Sequence, residues 1–289
     1  MASAGSVLAV SVRGTPLLRW PLRRGYCART LRVDRGERVM GEEFIVVGGG
    51  GDPSMVLLPG WATDGRIFEG VLPGVTAVTT GPVRPEGFAA RLAAFLDRAA
   101  RGPVTVVGWS LGGFLAAEFA REYPDRARRV VLVGIRREYP EGDVEEVLRS
   151  LSADPGGCLS GFYTRCFYPS QIPAYRRFRG RLQAAYLREI DGGALREGLA
   201  YLAGARLSGG TLPACPVAVV HGEDDVIAPF AEAEGVARDC GNATFHPLPG
   251  VAHAAFLADG FRALIADGQG WPSAATGREA SGSNGAADG

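Results

Sequence analysis

Gly108-Trp109-Ser110-Leu111-Gly112 follows a β-branched run, Val104–Val107, and opens a stretch of helical spacing, Leu111–Glu122. Strand, sharp turn and helix is the setting in which G-x-S-x-G lifts a serine hydroxyl to the top of a sheet as a nucleophile. A serine on so tight a turn sits in strained φ/ψ, and side chains two residues to either side would collide with the strand and helix, which accounts for Gly108 and Gly112. The helix N-terminus brings free N–H groups and its positive dipole end to the place where an oxyanion would form. A serine heading a helix is also an ordinary N-cap, and what favours chemistry here is the strand before it.

Such a serine needs a base, and the chain has three histidines. His221 closes the run Pro216–Val220 just ahead of Gly222, a place for a structural histidine in a turn. His246 lies inside Thr244–Leu248 beside Pro247, which fits a strand or surface role. His253 follows Leu248-Pro249-Gly250-Val251-Ala252, on a loop beyond the carboxyl end of a strand. Ser110 lies at the same edge, where open sheets assemble their sites.

The acid is expected on another loop of that edge. Glu223, Asp224 and Asp225 compete after Val217–Val220. Asp225 is favoured by its place three residues past Gly222 and four before Pro229, a spacing that recurs in serine hydrolases on open sheets. The other two then solvate or cap the turn. In this arrangement His253 takes the Ser110 proton and returns it to the leaving group, while Asp225 fixes the imidazole tautomer and stabilises its cation. Two backbone N–H groups would face the oxyanion. One is that of Leu111, and for the other the candidate is Trp61, in Leu57-Leu58-Pro59-Gly60-Trp61-Ala62-Thr63-Asp64. Alone, Pro59-Gly60 would read as a plain strand-end turn.

The elements that must position these groups are legible as alternation. Short runs, most of them continuously apolar, occupy Phe44–Val47, Met55–Leu58, Val75–Val78, Val104–Val107, Val130–Val133, Val217–Val220 and Thr244–Leu248. Helical patterns fall between them at Phe88–Ala100, Leu111–Glu122, Phe230–Asp239 and Phe256–Ala266. This predicts an α/β fold, a mostly parallel, doubly wound sheet covered on both faces. About 136–208 breaks the rhythm, being helical and rich in Arg and Tyr, and is expected to be an inserted lid within a domain spanning 40–267.

Composition excludes several chemistries. All 31 basic residues are arginine, so Schiff-base and Walker-type lysine chemistry is absent. Five scattered cysteines, with no C-x-x-C pair, and only three histidines make a disulfide framework or a metal site unexpected. No cofactor is implied. The 31 acids cancel the arginines, so no global attraction to nucleic acid or a membrane surface is expected, and no apolar run approaches the ~20 residues that span a bilayer. The expected compartment is the cytoplasm. Residues 1–33 carry six arginines and no acid, which reads either as an upstream extension before a start at Met40 or as a targeting segment. The Gly/Ala/Ser-rich residues 268–289 read as a disordered tail.

Together these pieces resemble the α/β-hydrolase superfamily over roughly Phe44 to Asp267, and Ser110, Asp225, His253 is the chain order of its triads. Three stretches further resemble the pimeloyl-acyl-carrier-protein methyl ester esterases of biotin synthesis. They are Gly60-Trp61, Gly108-Trp109-Ser110-Leu111-Gly112-Gly113 and Ala252-His253-Ala254-Ala255-Phe256. The resemblance implies cleavage of a methyl ester from a carrier-bound pimeloyl chain. It also implies Ser110, Asp225 and His253 as triad, Trp61 and Leu111 at the oxyanion, and Trp109 bordering the acyl group. Two departures stand out. Pro59-Gly60 replaces the usual His-Gly, removing any support that histidine gives the loop, and Thr79-Thr80-Gly81-Pro82-Val83 is shorter than the usual Asp-x-x-Gly-x-Gly.

Within the expected lid, Gly161–Ile190 holds six arginines, Arg165, Arg176, Arg177, Arg179, Arg181 and Arg188, against one acid, Glu189. An acidic acyl carrier protein with its phosphate-bearing arm would suit such a surface, Arg176, Arg177, Arg179 and Arg181 above all. A solvated helix face has the same composition. Two alternatives to the methyl esterase remain open. One is a general short-chain esterase, thioesterase or C–C hydrolase on the same triad. The other is a catalytically silent ligand-binding module, against which three intact triad positions argue.

Overall fold

Strands apolar on both faces are stable only where helices cover both sides of the sheet they form. The computed structural model describes residues 43–267, and the expectations for 1–39 and 268–289 lie outside that range. Seven strands form one sheet in the order β1-β3-β2-β4-β5-β6-β7: β1 (Phe44–Val47), β2 (Met55–Leu58), β3 (Ala77–Thr80), β4 (Val104–Trp109), β5 (Ala127–Val133), β6 (Val217–Gly222) and β7 (Ala243–Leu248). Only β1 runs antiparallel to its neighbour; the ladders from β3 through β7 are parallel. Because β2, β4, β5, β6 and β7 point the same way, the loops that follow them share one edge.

Among the described residues, the α-helices outside the insert are α1 (Phe88–Ala99), α2 (Leu111–Glu122), α8 (Phe230–Asp239) and α9 (Asp259–Asp267). Between β5 and β6 come α3 (Glu141–Ala153), α4 (Pro155–Phe167), α5 (Ile172–Phe178), a five-residue π-helical turn at Arg179–Gln183, α6 (Ala184–Glu189) and α7 (Gly192–Gly204). A single β-bridge joins Glu138 to Arg206 across the base of this insert. β4, β5 and β6 are almost wholly buried at the centre of the sheet.

The strands β4, β5 and β6 extend past the apolar runs that mark them, to Trp109, back to Ala127 and to Gly222, and two elements are displaced from the sequence reading. The third strand is Ala77–Thr80, not Val75–Val78. Val75 is still in a turn, its N–H donating to Leu72 O, and the β-branched Thr79 and Thr80 carry the pairing onto β2 and β1. Their hydroxyls mask a strand that apolarity alone cannot trace. The helix expected over Phe256–Ala266 is a short 3-10 turn, Ala255–Leu257, followed by α9; extended Ala258 interrupts it.

Candidate active site

Ser110 stands between β4 and α2 with φ 54° and ψ −119°. Among the described residues, the only other non-glycine at positive φ is Ala62, at 59°. Strain of this kind costs of order 1–3 kcal/mol and persists where the surroundings over-determine it. The elbow's glycines are obligatory here. A Cβ on Gly108 would lie 2.1 Å from Gly112 O, and one on Gly112 would lie 2.3 Å from Leu58 O, at the end of β2. The second clash is with the neighbouring strand rather than with the helix that the sequence points to.

The loop after β6 holds Asp225 in a buried turn. Its Oδ1 accepts the N–H groups of Ile227 (2.8 Å) and Ala228 (2.9 Å), and its Oδ2 accepts His253 Nδ1–H at 2.7 Å. Burial by itself would raise the Asp225 carboxyl, but His253, His221 and the Ala228 N–H outweigh it and hold the carboxyl below its ordinary value. With the proton of the neutral ring assigned to Nδ1 by that carboxylate, His253 Nε2 is an acceptor, and it is buried with no hydrogen-bond partner. The Ser110 hydroxyl is not bonded to it. Tyr139, in the loop after β5, is close by: burial pushes its phenol up to about 12, with Ser110 acting in the opposite sense. Catalytic hydrogen bonds of empty sites often form only in the substrate complex.

His221, fully buried, has its Nε2 3.5 Å from the same Asp225 Oδ2 and hydrogen-bonded to Ala228 O at 2.9 Å, a structural place in the turn. His246 is half-buried in β7 and pairs with Thr244 Oγ1 at 2.8 Å. Glu223 and Asp224 contribute backbone N–H bonds to Leu248 O and Val251 O, joining the acid loop to the histidine loop.

Trp61 and Leu111 flank a small cavity, about 10 Å³, that also touches Gly60, Ala194 and Gly198. Leu111 is the first residue of α2, where a backbone N–H has no acceptor within the helix. Trp109 is buried, with its indole N–H on His253 O (2.9 Å) and its ring beside those of His253 and Phe256. It therefore supports the histidine loop from below.

Three further groups also shape the site. Gln171 clamps the histidine loop, its Nε2 donating to Ala254 O (3.0 Å) and its Oε1 accepting from Ala252 N (3.2 Å). Tyr139 lies beside the nucleophile, and Tyr163 donates to Ala62 O at 2.6 Å. Tyr139 had one available signal, its place in a carboxyl-edge loop of a parallel strand; Tyr163 reads in the sequence as one of the insert's packing aromatics, and Gln171 had no signal. Of the insert arginines, Arg165, Arg176, Arg177 and Arg179 are exposed and have no acidic partner among the described residues, whereas Arg181 pairs with Glu69 at 2.8 Å. No helix among the described residues is long and apolar enough to cross a membrane.

Residues 79–259 match the model of the alpha/beta hydrolase fold family. The chain belongs to the alpha/beta hydrolase family. This hydrolase is 30% identical over 235 residues to the pimeloyl-[acyl-carrier protein] methyl ester esterase of Chromobacterium violaceum, covering 72% of this chain and 90% of that one. It is 28% identical to the enzyme of the same name from Nitrosomonas europaea, with 72% and 91% covered. An esterase from Exiguobacterium antarcticum superposes with a TM-score of 0.66 at 17% identity, over 78% of this hydrolase and 94% of the other chain. Relatives of this kind set the hydrolase among the carboxylic ester hydrolases.

Proposed function

We propose that this hydrolase is a serine carboxylesterase working through an acyl-enzyme on Ser110, and that its substrate is the methyl ester of a pimeloyl chain carried on acyl carrier protein. The observation that carries the mechanism is the buried, unpartnered Nε2 of His253 backed by the 2.7 Å bond from Nδ1 to Asp225. The Ser110 hydroxyl turns to Nε2 and gives up its proton as Oγ attacks the ester carbonyl. The oxyanion is met by the N–H groups of Leu111 and Trp61. Collapse expels methanol, protonated by His253, and water then repeats the sequence to release the carboxylate and regenerate Ser110.

The carrier assignment is supported by the names of the relatives and by Arg165, Arg176, Arg177 and Arg179, exposed and without an acidic partner among the described residues. Guanidinium groups suit the carboxylates and phosphate of a carrier protein. Two measurements test the proposal. Ser110→Ala is expected to abolish ester hydrolysis and labelling by a fluorophosphonate without unfolding the chain, and retained turnover removes the mechanism. The wild-type chain is expected to restore biotin-independent growth to a bacterial strain lacking its own methyl ester esterase. Failure there, with p-nitrophenyl ester hydrolysis intact, leaves the mechanism and removes the substrate.

A further inference from the structure

The loop Gly60–Asp64, which carries Trp61, has few internal ties: Thr63 Oγ1 donates to Gly60 O at 2.9 Å, and Asp64 accepts from Arg66. Pro59 brings no side-chain donor. Three separate helices of the insert supply what is missing. From α4, the Tyr163 hydroxyl donates to Ala62 O at 2.6 Å. From α6, the Tyr186 hydroxyl donates to Asp64 Oδ1 at 3.1 Å, and its ring stacks under the Arg66 guanidinium at 5.1 Å. From α7, Leu195 O accepts the Trp61 indole N–H at 2.8 Å.

Each bond restrains a different part of the loop. The bond from Tyr163 holds the carbonyl of Ala62, whose left-handed φ of 59° an alanine does not hold unaided. The bond from Tyr186 holds the loop's far end. The bond to Leu195 fixes the ring of the residue whose N–H faces the oxyanion. Both phenols are buried, and burial raises both well above the ordinary value, so they stay protonated donors at any working pH. On α7, Gly198 allows the helix to sit directly on the other donor as well. A Cβ there would meet Trp61 Cδ1 at 2.9 Å and Leu111 Cδ1 at 3.2 Å.

We infer that Tyr163 and Tyr186 are positioning residues for transition-state stabilisation: their hydroxyls, reaching out of the insert, hold the Gly60–Asp64 loop so that the Trp61 N–H meets the oxyanion. The inference rests on the proposed roles of Ser110 and Trp61. It makes the oxyanion site depend on the seating of the insert, because the Gly60–Asp64 loop takes its outside tethers from α4, α6 and α7.

The test compares Tyr163→Phe, Tyr186→Phe and the double variant with Tyr175→Phe, which removes a phenol bonded to Thr164 within the insert (3.0 Å). Readouts are kcat and KM on a p-nitrophenyl ester, affinity for an alkyl boronic acid that forms a tetrahedral adduct on serine, and Tm. The expected result is a loss of about tenfold or more in kcat for each of the first two variants, part of the 10²–10³ that a whole oxyanion donor is worth. KM should stay within about twofold, and boronate affinity should fall by the same factor as kcat. Tyr175→Phe should match the wild type in all three constants at a comparable Tm loss. Unchanged kcat in the double variant, a loss carried by KM alone, or a kcat loss without weaker boronate binding overturns the inference. A Ser110→Ala protein that still turns over removes instead the reading beneath it.

Discussion

His253 Nδ1 donates to Asp225 Oδ2 at 2.7 Å while Asp225 Oδ1 is occupied by the N–H groups of Ile227 and Ala228. The carboxylate has no freedom to turn, so the pairing sets the tautomer of the base. Asp225→Asn keeps the shape and inverts the chemistry. Its carbonyl oxygen must stay on the two N–H groups, its NH2 then faces Nδ1, and the ring proton moves to Nε2, where no proton can be accepted. Expected is a loss of about 10⁴ in kcat with little change in KM, the scale on which a wrong tautomer acts in serine hydrolases. Steady-state kinetics on a p-nitrophenyl ester checks it, and a loss under tenfold would show that Asp225 does not orient the base.

Gln171 satisfies two backbone groups of the buried histidine loop, Ala252 N–H and Ala254 C=O. Gln171→Ala leaves the Ala252 N–H without a partner, at about 1–3 kcal/mol, while Ala254 C=O keeps the N–H of Leu257 at 3.0 Å. The variant is expected to lose several degrees of Tm and also kcat, since the loop carries the base. Differential scanning calorimetry and kinetics on the same preparation would show whether the two losses occur together.

Gly198→Ala sets two effects against each other. Alanine improves the helix by about 1 kcal/mol, but its Cβ meets the Trp61 indole at 2.9 Å, and that ring is held by Leu195 O. Overpacking costs about 1–3 kcal/mol, so a net stability loss of about 0–2 kcal/mol accompanies displacement of the oxyanion loop. A kcat at least about tenfold lower is expected, equivalent to about 1.4 kcal/mol in the barrier, with the Tm change measured alongside it.

His221 gives a pH signature to stability. Burial holds its imidazole below the ordinary 6.5, outweighing the pull of Asp225. The folded state thus binds fewer protons than the unfolded one. The associated stability is fully present above 6.5 and is lost as pH falls through the folded value, by at most about 1.4 kcal/mol per pH unit for one proton. The Tm is expected to decline between about pH 7 and pH 5, and to decline less steeply in His221→Gln. Parallel curves for the two proteins would show that another group titrates.

Much of this hydrolase is written locally. Ser110 is marked by two glycines that a side chain cannot replace, between a strand and a helix, and His253 and Asp225 are marked by lying just past apolar runs. Chain order and the one-edge rule for parallel strands then bring the three to one place. Such signals are short in range, because they reflect backbone sterics and strand length. Where polarity and strand pairing disagree, as at Thr79 and Thr80, the local signal fails and the register with β1 and β2 decides.

The insert's part in the site has no local mark. Tyr163 and Tyr186 look like any buried aromatic, and their partners Ala62 and Asp64 lie 101 and 122 residues away. A hydrogen bond between segments so distant is encoded only by packing, through the docking of α4, α6 and α7 on the sheet edge. The sequence by itself determined which atoms could react. The tertiary structure decided which loops are held still around them, because orientation inside a buried site depends on contacts from elements that share no periodicity with it.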